Sequence, residues 1–501
     1  MHTTLLLDMA ADAAPDRLAL GRREDGVTFS DLQRRARAGA VALEAAGGDT
    51  VVFVGLNGPA MPVAIFAAGL LGKPFAPLNY RLPDADLARL LARTAPCVAI
   101  VDDDMLVRLG ECPGVTMMAR SAFERACEAE VDGELAYVEP DIAVLLFTSG
   151  TTGEPKAAIL RHANLTSYVI STVEFLGSEE GEAALVSVPP YHIAGISAVL
   201  TGVYGGRRLV HLEAFTPEAW VDEATAEQIT HAMVVPTMLG RILDILEGRG
   251  AGLPHLKALS YGGGRMPQPV IERALRVLPH VDFVNAYGLT ETSSTVAVLG
   301  PEDHREAMSS PDEAVRRRLG SVGRPLPTLE LEIRGPDGEV MPTGQSGEIY
   351  VRGEQVSGEY THKKVVQDDG WFATNDGGWM DEAGYLFVEG RLDDVIVRGG
   401  ENISPGEIED VLREHPDVAD VAVLGLPDDE WGERVAAAVV LKAGGTAPDA
   451  LADWVRARLR STKTPEVWEI RDALPYNDTG KLLRRQLKVE MAGVARPATV
   501  R

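Results

Sequence analysis

Three features of the sequence predict an α/β protein that carries a β-rich module and ends in a small α+β domain. Short β-rich runs alternate with Ala- and Leu-rich stretches of helical period from residue 50 onward, strand alternation broken by turns begins near Leu329, and helices return after Glu389. In order, the first region contains "TVVFVGL" from Thr50, "CVAIVDD" from Cys97, "DIAVLLF" from Asp141, "EAALVSV" from Glu182, "THAMVVP" from Thr230 and "VDFVNAYG" from Val281. Each is a continuous apolar run of the kind buried on both faces of a sheet. The helical stretches between them supply the crossovers that largely parallel sheets require. The next stretch, "LELEIRGPDGEVMPTGQSGEIYVRG" from Leu329, has Pro-Asp-Gly and Pro-Thr-Gly turns between alternating strands, which predicts a small antiparallel barrel or sheet. After "EGRLDD", the segment "GEIEDVLREHPDVADVAVLGLPD" reads as helix, turn and strand, and "DALADWVRARLRST" as a helix. About 110 residues therefore make an independent C-terminal unit.

With 501 residues, 45% of them hydrophobic, the chain is long enough for a large core divided among domains. Its 48 basic residues against 74 acidic ones leave a net charge of -26, which excludes nucleic acid and anionic membrane surfaces as main partners. An anionic ligand needs local cations. Cys97, Cys112 and Cys127 are odd in number and lack metal-ligand spacing, as expected in a reducing compartment. The N-terminus has no basic segment ahead of its apolar patch, and no window reaches the ~18 apolar residues of a membrane span, so a cytoplasmic protein without an integral membrane segment is expected.

The stretch "LLFTSGTTGEPKAAIL", Leu145–Leu160, joins an apolar strand to a loop with almost no side chain to bury. Backbone N–H groups of Ser149, Gly150, Thr151, Thr152 and Gly153 are expected to form a nest for phosphate oxygens, with a hydroxyl from Thr148 and a positive charge from Lys156. The spacing is that of neither a P-loop nor a dinucleotide loop. "TSGTTGEPK" resembles the phosphate loop of the adenylate-forming superfamily, in its acyl-CoA synthetase branch. Six more blocks follow in that family's order: "YHIAG" at 191, "YGGGRMP" at 261, "NAYGLTET" at 285, "SVGRPLP" at 321, "GRLDDVIVRGGENISPGEIE" at 390 and "PYNDTGKLLR" at 475. The resemblance spans nearly the whole chain. It implies an N-terminal domain of two layered α/β sheets over residues 1–391, with a β-barrel subdomain at about 320–390. A mobile C-terminal lid would occupy 392–501, hinged at Asp393.

The implied reaction is attack of a carboxylate on the α-phosphorus of ATP, giving acyl-AMP and pyrophosphate, and then acyl transfer to the thiol of coenzyme A. Two anions must meet, so cations and positioned donors are required. The resemblance assigns Thr290 to phosphate and Glu291 to Mg2+, a hard cation suited to one carboxylate plus phosphate oxygens. Tyr287 is expected along the adenine face. Asn285, Ala286, Gly288 and the glycines Gly262, Gly263 and Gly264 are expected to line the base and acyl pockets. Asp376 matches the acceptor of both ribose hydroxyls, and Arg391 a ribose or phosphate contact. The family usually has Thr-Gly-Asp where this chain has Thr374-Asn375-Asp376; asparagine tolerates left-handed backbone, so the turn is expected to survive. Lys481 corresponds to the lysine that reaches the carboxylate and α-phosphate. His192 is placed at the mouth of the acyl pocket.

For the second half-reaction, Arg398, Gly399 and Gly400 are expected to swing to the active site and let the pantetheine arm pass. Arg81 and Trp431 match contacts to the CoA nucleotide. Thr462, Thr464 and Glu466 depart from the aromatic or basic residues of aryl-CoA ligases, leaving Lys463. The alternative acceptor is an acyl carrier protein. A reading from another class, an adenylate-binding sensor without turnover, finds support only in Asn375. Malonate-type relatives put arginine where this chain has Ala286, so an apolar aryl, alicyclic or fatty acid is expected rather than a dicarboxylate. A monomer or homodimer is expected.

Overall fold

The computed structural model describes residues 1–131, 141–148, 156–399, 401–428, 431–442, 445–477 and 482–494. Among these, two large sheets face each other across a helical layer. The first contains nine strands. Its parallel centre runs Asp282–Leu289, Ala258–Gly262, His231–Val234, Ala183–Val186, Arg208–His211 and Leu18–Leu20, and antiparallel strands Ser294–Leu299 and Arg324–Pro325 extend one edge. The second contains eight. Thr50–Val54, Phe75–Pro77, Cys97–Val101, Val115–Ala119 and Ile142–Thr148 are parallel, and Lys156–Arg161 returns antiparallel to the last of them. All six apolar runs picked out in the sequence are strands.

The helices Ala60–Leu70 and Ile193–Gly205 are apolar nearly all round, which a helix tolerates only where every face is covered. They supply Phe66, Val63, Val199 and Leu200 to one core with Val51, Phe53 and Phe75 of one sheet and Val186 and Leu209 of the other. The turn-rich segment forms a four-stranded antiparallel sheet of Glu330–Arg334, Gly347–Arg352, Phe372–Met380 and Leu386–Arg391, open in its described strand order. The small C-terminal domain packs Pro405–Arg413 and Pro448–Arg456 on the sheet built around the long hairpin Val418–Asp428 and Gly432–Leu441. No described helix is long and apolar enough to cross a membrane.

Candidate active site

A cavity of about 890 Å3 opens where the two large sheets, the small antiparallel sheet and the C-terminal domain meet. Thr148 and Lys156 stand on its wall as a cross-strand pair, because Ile142–Thr148 and Lys156–Arg161 are the arms of one hairpin. Ala157, Ala158, Ile159 and Leu160 bury the returning arm. Ser149, Gly150, Thr151, Thr152 and Gly153, between the arms, lie outside the described residues.

The adjoining wall is built by Asp282–Leu289 and the one-turn helix Thr290–Thr292. A bulge between Tyr287 and Gly288 brings the chain so close to its neighbour that a β-carbon on Gly288 would lie 1.7 Å from the Ser294 carbonyl oxygen. Ser293 and Ser294 follow with φ of 56° and 113°, strained values for residues other than glycine. The tight turn aims Glu291 inward: its carboxylate is buried and accepts from the Tyr360 hydroxyl, and its backbone oxygen accepts from the N–H of Ser357 at 2.8 Å. Burial, reinforced by Glu291, pushes the Tyr360 hydroxyl well above its usual pKa. Tyr360 also pairs as a strand residue with Ala158, so one residue couples the phosphate hairpin to the Glu291 carboxylate. The sequence reading missed it. Nothing local marks it, since its role depends on contacts 69 residues away.

Asp376 sits on Phe372–Met380, opposite Arg391 in register. It accepts from the Tyr287 hydroxyl at 2.7 Å and from Arg391 Nη1 at 3.0 Å, and its backbone N–H donates to Thr374 Oγ1 at 3.1 Å. Burial pulls the Arg391 guanidinium toward neutrality, but Asp376 beside it, with Glu291 and Tyr287, more than compensates and its pKa is raised. Burial first, and Asp376 second, hold the Tyr287 hydroxyl protonated far above the ordinary tyrosine range. Asn375 has φ of 59°, the left-handed conformation its replacement of glycine demands.

Toward the acyl end, Gly263, Gly264, Asn285, Ala286 and Ile193 line the cavity, and Gly240 faces it with open space where a side chain would go. Gly262 differs from the expectation. A β-carbon there would lie 2.3 Å from the Ala286 carbonyl oxygen, so this glycine serves strand packing. His192 also stands off the main cavity: it caps Ile193–Gly205 with its ring against Tyr191, centroids 4.7 Å apart. Arg81 opens on a second cavity of about 320 Å3 that shares Thr237 and Tyr476 with the first.

The C-terminal domain supplies Tyr476, Leu482 and Arg484 to the main cavity. Lys481, next to Leu482, lies outside the described residues, as does Gly400. Arg398 and Gly399 are turned away in this arrangement. Arg398 packs over the Trp431 ring at 5.8 Å, pairs with Glu466 and donates to the Thr462 oxygen, and Gly399, at φ 56°, donates to the Trp431 oxygen at 2.8 Å. Trp431 lines neither cavity and is not brought near Arg81's. Lys463 is engaged by Glu407 at 2.5 Å. No cluster of three metal-ligating side chains exists among the described residues, so a divalent cation here would rely on Glu291 and on ligand oxygens. A buried hard carboxylate at the phosphate end of the cavity suits Mg2+.

The chain matches the AMP-binding enzyme family over residues 7–361 and the AMP-binding enzyme C-terminal domain over residues 407–481. It is 34% identical over 490 residues to a feruloyl-CoA synthase of an Amycolatopsis species, covering 95% of this chain and 96% of that one. It is 31% identical over 511 residues to the indoleacetate–CoA ligase of Aromatoleum aromaticum, covering 97% and 98%. Its fold superposes on the o-succinylbenzoate CoA synthetase of Bacillus subtilis in complex with its acyl-adenylate intermediate, with a TM-score of 0.83 at 30% identity and coverage of 96% and 97%. The same synthetase with ATP and a magnesium ion gives 0.82 at 30% identity, covering 96% and 99%.

Proposed function

The chain belongs to the family of AMP-binding enzymes, and from that premise we propose that it is an acid:CoA ligase for carboxylic acids with an apolar, aromatic body. It uses ATP, Mg2+ and coenzyme A. The observation that carries the reading is the single cavity that gathers Thr148, Lys156, Thr290, Glu291, Tyr287, Asp376 and Arg391. Gly263, Gly264, Ala286 and the open space at Gly240 form an uncharged acyl end, and the relatives above are named for aromatic acids.

In the first step the carboxylate oxygen forms a bond to the α-phosphorus while the bond to the β-phosphate oxygen breaks, and pyrophosphate leaves with the electron pair. The carboxylate is ionised at neutral pH, so no base is needed. Lys156, the Ser149–Gly153 loop and Thr290 hold the phosphates, Asp376 takes the ribose hydroxyls, and Tyr287 walls the base. Glu291 would hold Mg2+, which would supply positive charge against the phosphates. Lys481 offsets the charge that grows on the α-phosphate. In the second step the CoA sulfur attacks the acyl carbon and AMP leaves. For that step the lid, residues 392–501, rotates at Asp393 and exchanges the Leu482 segment for Arg398, Gly399 and Gly400, while Arg81 takes a CoA phosphate. The three cysteines are free thiols, two of them buried, which suits the reducing cytoplasm.

The test follows pyrophosphate release and thioester mass with Mg-ATP across aryl, alicyclic, fatty, dicarboxylic and amino acids, with and without CoA. Continuous, CoA-dependent release and an aryl-CoA product are expected. A single burst that CoA does not relieve, but a carrier protein does, would replace CoA as acceptor. Lys481→Ala is expected to abolish adenylation and spare thioester formation from preformed adenylate; equal loss of both removes Lys481 from its role.

A further inference from the structure

Two consecutive aspartates on the turn Leu392–Asp394 are bound to opposite halves of the molecule. Asp393 Oδ2 accepts from Asn375 Nδ2 at 2.8 Å, whereas Asp394 Oδ2 lies 3.5 Å from Nε of Arg484. Asn375 is fixed in the small antiparallel sheet, between Thr374 and the ribose-side Asp376, by its left-handed backbone and by its N–H donating to Glu348 Oε1 at 3.0 Å. Arg484 is fixed in the C-terminal domain, donating to Glu409 Oε1 at 2.6 Å and to the Val423 oxygen at 2.6 Å. The turn is thus tied to both sides. A glycine at position 375 would satisfy the backbone but could not make the tie.

We propose that Asn375 is a positioning residue for domain alternation: its amide pins Asp393 in the arrangement that turns Leu482 and its neighbours toward the cavity. The bond has to break before the backbone at Asp393 rotates and the Gly399 hairpin comes round. The inference rests on the hinge reading of Asp393 above. It gives the departure from glycine a consequence, a bias between the two half-reactions set by one exposed, charge-assisted hydrogen bond.

The test compares wild type, Asn375→Gly, Asn375→Asp and the double variant Asn375→Asp/Asp393→Asn, which restores an amide-to-carboxylate bond with the partners exchanged. One readout is the ratio of CoA transfer from preformed adenylate to ATP–pyrophosphate exchange. The other is the inter-domain distance by energy transfer between dyes on Val107→Cys and Val489→Cys, positions 88% and 69% exposed, in a Cys112→Ser background. Asn375→Gly is expected to raise the ratio about two- to fivefold and shift the distance, as loss of one such bond allows. Asn375→Asp, facing a like charge, should shift both further, and less so in high salt. The double variant should return to within about twofold of wild type. Single variants that leave ratio and distance unchanged, or a double variant that fails to restore them, overturn the proposal. If the wild type makes no acyl-CoA from any acid, the ligase reading fails, and the distance measurement still decides the tether.

Discussion

A carboxylate that is to accept two ribose hydroxyls, the role proposed for Asp376, has to be aimed before the nucleotide arrives, and Tyr287 and Arg391 aim it. Tyr287→Phe removes one bond to a charged acceptor and keeps the ring, so KM for ATP should rise about tenfold with kcat little changed. Asp376→Ala removes the acceptor and strands Arg391, a partly buried cation; kcat/KM for ATP should fall by about a hundredfold or more, with a lower melting temperature. ATP–pyrophosphate exchange measures both. An unchanged KM for ATP in Asp376→Ala would take this residue out of the nucleotide site. The motifs pointed to Asp376 and Arg391, which the structure brings together on the cavity wall, but Tyr287 was expected only as an aromatic wall, because a bond across 89 residues leaves no local trace.

At the scale of elements, the strand Asp282–Leu289, the turn Thr290–Thr292 and the strand Ser294–Leu299 act as one bracket for Glu291. Gly288 sets its closeness. A methyl group there meets the Ser294 carbonyl, which is rigid backbone, so Gly288→Ala should destabilise the fold by about 3 kcal/mol and raise the Mg2+ requirement of pyrophosphate exchange. A denaturation midpoint equal to wild type would show that the bracket yields without cost. The six apolar runs declared themselves as strands by their shortness and β-branched content, and Thr50–Val54 and Cys97–Val101 are buried at every position. Lys156–Arg161 did not, since Gly153 and Pro155 interrupt the signal and the strand is specified by its partner across the hairpin. The short strand Glu359–Tyr360 was hidden for the same reason: two residues carry no period, and pairing to Ala158 on one side and to Lys363 and Lys364 on the other defines it.

For the whole molecule, buried histidines set the response to acid. His211 ends the strand Arg208–His211 and has no hydrogen-bond partner for either ring nitrogen among the described residues; burial, with Arg120 nearby, lowers its pKa to about 4. His162, stacked on His2 with centroids 3.9 Å apart and accepting from the Thr3 N–H, is lowered to about 3, by burial first and then by His2 and the N-terminal amine, against Asp141. Both rings are neutral in the fold, whereas in the unfolded chain they take up a proton near pH 6.5. Between pH 6.5 and about 4 the unfolded state therefore binds more protons, and stability falls as pH falls, by up to about 1.4 kcal/mol per pH unit for each ring. Acid also relieves the self-repulsion of a chain with net charge -26, an effect of opposite sign, so the bare pH profile is ambiguous. A difference between two proteins isolates the histidine. His211→Phe keeps a flat ring and cannot bind a proton, so on going from pH 7.5 to pH 5.0 wild type should lose more stability than the variant, by urea denaturation. The difference should be about 2 kcal/mol. If both proteins lose the same stability between those values, the ring is solvated well enough to titrate in the fold, and acid sensitivity has to be sought in the carboxylates instead.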